Sequence, residues 1–459
     1  MTWARFFYII PAKIILTGIT VHFLMRVNPS PRAVPEAPFN GARLLGVAVL
    51  AIILFWTSAC TEKSANGGVT LVFKHSKLFG DPAPFEQLLA RFERENPGVK
   101  VKDEILPSSS DEQHQFYAIN LQARSSDFDV FALDVIWVAE FAQAGWLRDI
   151  TPLLPMSQRK DFFPGPIAAV THEGRIYALP WFIDAGLLYY RMDLLAKYKL
   201  TPPHTWDELV HDASTVMARE PGLYGFVWQG KQYEGLVCNA LEYLWSNGGG
   251  VMQNGRVVLD SAANRQSLGF MRDLIVRYRV TPPFVTTLTE EPSREIFGQG
   301  KAVFLRNWPY AWRLFEAPGS AVRGKVGISV LPHFAGGASA ATLGGWQLGI
   351  NRYSHHAAQA EQLVQFLGSA SAQKAMALAY GFSPPRRSLY HDPELKAAAP
   401  FLISLETVFE KARPRPVTPF YVPMSQELQS EFSAAISGIK TPPAALAAAQ
   451  QRVQALVHQ

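Results

Sequence analysis

Cysteine is nearly absent: Cys60 and Cys238 are the two thiols in 459 residues. The first follows a leader-like stretch, so no internal disulfide is expected and the fold must rest on a hydrophobic core. Charge is also scarce, at 18% of residues. The formal net charge of +5 is concentrated before Cys60, where Arg5, Lys13, Arg26, Arg32 and Arg43 face one acid, Glu36. Removing these from the 43 basic and 38 acidic residues of the chain leaves 38 and 37. A body so close to neutral carries no electrostatic footprint for nucleic acid. Metal and phosphate motifs are missing as well. His355 and His356 are adjacent rather than one helical turn apart. Asn247-Gly-Gly-Gly250 lacks the Lys-Ser/Thr of a phosphate loop and reads as a helix stop. No cofactor is expected, and there are no repeats and no low-complexity tract.

What the first sixty residues hold is a leader. Leu44–Trp56 is an unbroken apolar run of thirteen residues behind Arg43. It is too short to span a bilayer comfortably and ends in Thr57-Ser58-Ala59-Cys60, the small-residue zone of a cleavage site. The order resembles a bacterial lipoprotein signal, in which Cys60 is acylated after cleavage, except that Thr57 stands where Leu is usual. Simple cleavage and release is the alternative. Phe6–Met25 is also apolar but contains Pro11, Lys13 and His22; it is either a second anchor or lies upstream of the true start.

The remainder has the size for two lobes, with hydrophobic residues at 48% of the whole chain. From Val69 a β-α-β rhythm begins. Strands are predicted over Val69–Phe73, Val99–Leu106 and Asp129–Leu133, and helices over Pro84–Arg94 and Asp111–Arg124. This places Asp81 and Asp134 just past strand ends, where ligands collect in open α/β sheets. Two short apolar runs, Ile176–Leu179 and Gly186–Tyr190, flank a Pro-Trp-Phe-Ile-Asp break that carries Asp184 beside Trp181 and Phe182. An acid in that position is a ligand contact or a turn cap. Thr205-Trp-Asp-Glu208 is a capping box and Asn254-Gly255 a hairpin signal. Cys238 lies in a helical stretch and reads as a small core residue.

Four stretches resemble a known family: Trp181–Leu195, Trp228–Cys238, Arg306-Asn-Trp-Pro-Tyr-Ala-Trp312 and Ala341–Ile350. In this order, across almost the whole body, they are similar to the extracellular solute-binding proteins of ABC sugar importers, the family of maltose-binding protein, and within it to the trehalose/maltose-binding branch. The resemblance implies an α/β, two-lobed flytrap of the type II periplasmic-binding-protein fold. It implies lobes of residues 69–183 plus 350–383 and 184–349 plus 384–459, after a leader of 1–59 and a tether of 60–68. It implies a monomer that binds a disaccharide or short oligosaccharide and meets permease subunits driven by a cytoplasmic ATPase; the leader adds export, with a lipid tether on Cys60 or release after cleavage. Carried over residue by residue, Asp134, Asp184, Trp308, Tyr310, Gly345, Trp346 and Arg386 occupy sugar-contact positions, and Asp81 joins them as a ligand candidate from its place past a strand end. Asp81 stands where the relatives carry Glu, Phe182 where Tyr is common, and Pro385 where Gly precedes the Arg. These departures bear on which sugar is bound.

The chemistry is consistent with that implication. Ionised Asp accepts two sugar hydroxyls, Arg donates in a fork, and Trp or Tyr offers a flat apolar platform. Trp308 is expected as a platform and Trp312 as core, because Pro309 breaks any helix that would join them. Phe182 and the loop polars Lys231, Tyr233 and Glu234 are further candidates. Asp81 has the alternative of a helix cap. Two rival readings stay open: a glycoside hydrolase using Asp134 and Asp184 as acid and base, and a sugar-binding component of a membrane sensor.

Overall fold

The computed structural model describes residues 68–457; the leader, the tether and Cys60 lie outside them. In chain order the strands of the two main sheets are β1 (Val69–Ser76), β2 (Val99–Leu106), β3 (Val130–Asp134), β4 (Ala178–Ala185), β5 (Leu187–Arg191), β6 (Tyr224–Val227), β7 (Ala302–Asn307), β8 (Val326–Ser329) and β9 (Leu343–Ile350). The first sheet has the order β2-β1-β3-β9-β4 and the second β8-β5-β7-β6. β1 pairs in parallel with β2 and β3, whereas β9 runs antiparallel to β3 and β4. Each sheet is covered by helices and has its own apolar core, the first around Phe73, Phe131 and Trp137, the second around Trp206, Trp228 and Phe304. A third cluster, with Ile183, Leu187, Tyr189 and Tyr390, sits where the halves join. The two-lobed α/β class is as expected.

Local signals are realised closely. Helix Ala83–Glu95 buries Phe85, Leu88, Leu89 and Phe92, the i, i+3, i+4, i+7 stripe. The Thr205/Glu208 capping box opens helix Trp206–Met217, and Asn254-Gly255 joins a short antiparallel hairpin. Cys238 is buried in helix Glu234–Ser246.

The expected break at Pro180–Asp184 is instead part of one continuous buried strand, β4. Proline is tolerated because β4 is an edge strand and its register with β9 slips between Trp346 and Gln347. Phe182 faces Trp346 and Pro180 faces Gln347, leaving Trp181 as the extra residue of a bulge. Pro180 still accepts through its carbonyl, from Gln373 Nε2 at 3.1 Å.

The halves are joined with almost no linker. Gly186 alone separates β4 from β5, and a Cβ there would lie 1.9 Å from Glu242 Oε1 and 2.6 Å from Arg306 Nη2. The return crossing comes just before Leu343, because β9 pairs with β3 and β4 along its whole length. The chain therefore re-enters the first sheet near residue 342 rather than at 350. Arg413 runs beside this crossing: its carbonyl accepts from Leu343 N and its N–H donates to Ala341 O, both at 2.8 Å. The last two helices, Tyr421–Ile436 and Pro442–Val457, pack into the second core.

A carboxylate and aromatic cleft at the junction

Asp134 is the last residue of β3 and lies opposite Trp346 of β9. Its Oδ1 accepts from Ile136 N at 3.2 Å and from Arg415 Nη2 at 2.9 Å. Asp184 is the penultimate residue of β4, opposite Gly344, and is only 8% exposed. Its carboxyl is pushed up to about 7 by burial and by the negative charge of Asp134, with Arg306 pulling the other way and no hydrogen bond holding it down. A capping Asp accepts from backbone N–H groups and is held low. Asp184 therefore does not behave as a turn cap.

Trp308, the candidate platform, directly follows β7, which ends at Asn307. Trp308 leaves the strand at an angle set by Pro309, and helix Ala311–Phe315 begins only afterwards, so Trp308 and Trp312 do not share a helix. Trp312 packs on Phe401 at 5.1 Å, on the core side as expected. The Arg306 guanidinium sits 3.9 Å from the Trp308 ring centroid, a cation–π contact. Trp308 Nε1 donates to Glu290 Oε1 at 3.4 Å, Tyr233 Oη donates to Glu290 Oε2 at 2.7 Å, and Tyr310 Oη donates to Glu291 Oε1 at 2.7 Å. The first turn of helix Glu290–Gly298 thus fixes three rings through two carboxylates.

The paired glycines make room for this. Gly345 has φ +116°, and a Cβ would lie 2.4 Å from Phe182 O; only glycine fits. At Gly344 a Cβ would crowd Trp308 at 3.3 Å and Asp184 Cβ at 3.4 Å. The missing side chain leaves room for both Trp308 and Asp184 against the same glycine. Trp346 is half-buried and meets Trp137 edge-on at 5.7 Å and 88°.

Two buried ion-pair systems lie at the junction, and the first of them joins the halves. Arg415, in a segment flanked by Pro414 and Pro416, donates to Asp134 from one side and to Glu234 Oε1 at 2.8 Å from the other. Glu234 also accepts from Tyr421 Oη at 2.7 Å and from Ser425 Oγ. Burial raises its carboxyl, while Arg415 and Ser425 oppose that shift. Arg306 donates through Nε to Glu242 Oε2 at 2.8 Å, and Glu242 Oε1 accepts from Thr342 N at 3.1 Å. Glu242 therefore touches both crossings, at Gly186 and at Thr342.

The site brings together Asp134, Asp184, Trp308, Gly345, Trp346 and, through shared partners, Tyr310, Tyr233 and Glu234. Other candidates are placed elsewhere. Arg386 donates to Asp161 Oδ2 at 3.1 Å and to Gly368 O, and lies over Phe162 at 4.3 Å. Asp81 is exposed and its Oδ1 accepts from Ala83 N at 3.0 Å, an i to i+2 turn contact; the N-cap of the helix is Pro82, which has no side-chain cap bond. Phe182 stacks on Phe382 at 4.1 Å, and Lys231 is exposed. Arg415 was not anticipated, since it is 281 residues from Asp134 and belongs to no local pattern. Glu290 and Glu291 read as ordinary acids in a helix's first turn. Among the described residues no group of His, Cys, Asp or Glu is arranged to hold a metal ion.

A two-lobed α/β body with acids and aromatics gathered at its junction defines a binding-protein architecture, and comparison with known proteins agrees. The model of the bacterial extracellular solute-binding protein family matches residues 77–374. A probable ABC transporter-binding protein of Deinococcus radiodurans is 39% identical, over 75% of this chain and 82% of its own length. Maltose-bound MalE3 of T. maritima superposes with TM-score 0.82 at 44% identity, covering 85% of this chain and all of the other. An ABC transporter solute-binding protein of Thermotoga lettingae with bound α-D-tagatose gives 0.77 at 25% identity, with 85% and 100% covered. The chain belongs to the bacterial extracellular solute-binding protein family, a family of binding proteins rather than of enzymes.

Proposed function

We propose that the protein captures a neutral disaccharide or short oligosaccharide of the maltose or trehalose type between its two halves and hands it to an ABC permease powered by a cytoplasmic ATPase. One observation carries this reading: Asp184, a buried carboxyl with no donor of its own, set beside Asp134 and the Trp308 and Trp346 rings. A sugar hydroxyl supplies the missing donor, and a sugar's C–H face suits a tryptophan. The maltose carried by the 44%-identical T. maritima protein supports the glucoside. The tagatose of the Thermotoga lettingae protein supports a single ring as the competing ligand. Calorimetric titration with maltose, trehalose, maltotriose and tagatose separates them, and heat only with tagatose overturns the disaccharide. Release of glucose during the same incubations would favour the hydrolase. Contact residues on both sides of the crossings support hinge closure on binding. Small-angle scattering should therefore show a smaller radius of gyration at saturating sugar, and an unchanged radius removes the hinge. Export and tethering through Cys60 completes the proposal. A diacylglyceryl adduct on the N-terminal peptide is the expected mass, and equal membrane retention of Cys60→Ala counts against it.

A further inference from the structure

Three aromatic side chains, Trp308, Tyr310 and Trp346, are the candidate sugar platforms, and the protein treats one differently. Trp308 is covered on one face by the Arg306 guanidinium, and Trp346 meets Trp137 at right angles. No protein ring stacks parallel on either among the described residues. Tyr310 is stacked by Phe79, at a centroid distance of 6.0 Å and 20° between planes. Its hydroxyl is also committed, donating to Glu291 Oε1 at 2.7 Å, and Glu291 is in turn held by Arg294. What remains for a ligand at Tyr310 is a ring face, and Phe79 lies over one.

Phe79 comes from the opposite half. It belongs to the loop between β1 and helix Ala83–Glu95, whereas Tyr310 follows β7 of the second sheet. The loop is built for the approach. Leu78 packs into the first core, and Gly80 at φ +124° turns the chain, a conformation open to glycine. Tyr380 Oη then pins the far end by donating to Asp81 O at 2.8 Å. Lys77 Nζ lies 5.8 Å from the Phe79 ring centroid.

We propose that Phe79 is a specificity-determining residue: its ring occupies the platform on which a further sugar would stack, so the cleft favours ligands of about two rings, one for each unstacked tryptophan. A longer gluco-oligosaccharide binds only by displacing Phe79 from Tyr310. An aromatic pair of this kind accounts for about a two- to tenfold preference. The inference rests on the sugar-binding reading above, and the two fail differently.

The test titrates wild type, Phe79→Ala and Phe79→Leu with maltose, maltotriose and maltotetraose, alongside thermal midpoints. Wild type is expected to bind maltose more tightly than the longer sugars. In Phe79→Ala the maltotriose-to-maltose affinity ratio should rise about two- to tenfold with the midpoint little changed, and Phe79→Leu should fall between. If all three sugars weaken by the same factor, Phe79 is a closure contact without selectivity and the proposal is overturned. An unchanged ratio overturns it equally. Failure of wild type to bind any of the three overturns the sugar reading itself, and the proposal with it. Should both variants unfold early, excess maltotriose over wild type quenching or shifting tryptophan emission unlike maltose would support displacement of the loop, and identical spectra would refute it.

Discussion

Replacing Asp184 by Asn tests the site through stability and affinity together. The folded protein holds this carboxyl at about 7, above an unfolded value near 3.8. Between about pH 4 and pH 7 the folded state keeps a proton that the unfolded chain releases. Stability therefore falls as pH rises through this window, and the full penalty is present above it. The displacement corresponds to on the order of 4 kcal/mol, an upper figure because the residue keeps 8% of its surface in contact with solvent. Asn cannot ionise, so Asp184→Asn should raise the thermal midpoint at pH 8 and leave it nearly unchanged at pH 4. Sugar affinity should move in the opposite direction. An ionised Asp184 accepting a hydroxyl contributes roughly 1.5–3 kcal/mol, so the variant should bind the best disaccharide about 10- to 100-fold more weakly at pH 8. At pH 5 wild type is itself protonated and the two should converge. Calorimetric titration at both pH values, with melting curves at pH 4 and pH 8, decides the matter. A lowered midpoint at pH 8 with intact affinity would show that Asp184 is a structural group and refute the reasoning.

Three further substitutions probe how the cleft is held. Glu242→Gln leaves the Arg306 guanidinium, 1% exposed, without its counter-charge, and should cost about 3–5 kcal/mol in urea unfolding; the Glu242→Leu/Arg306→Met double variant should recover much of it. Gly345→Ala forces a Cβ to 2.4 Å from Phe182 O at φ +116°, so it should lose about 1–3 kcal/mol and displace Trp346, read as weaker sugar affinity in the folded fraction. Arg415→Met strands Glu234, whose carboxyl burial already raises; destabilisation should therefore shrink as pH is lowered and protonation of Glu234 relieves the unpaired charge, and a pH-independent loss would argue against the pairing.

Sequence alone determined the elements and the character of the site. Periodicity, the capping box and the Asn-Gly turn are local effects of side chain on backbone, and they hold wherever the chain folds. Asp134 and Asp184 stand out as candidates because an acid at a strand end among aromatics is unusual, and Trp308 because Pro309 forbids a helix through it. Tertiary structure decided what depends on distant partners. Pro180 reads as a strand breaker until β9 supplies a bulge opposite it. Arg386 matches a sugar-contact position and Asp81 follows a strand end, yet their hydrogen bonds go to Asp161 and Gly368 and to Ala83. Arg415 reaches Asp134 across 281 residues, and Glu242 joins both crossings from a helix outside them. Burial and pairing of charge are properties of three-dimensional neighbours, which no spacing along the chain encodes.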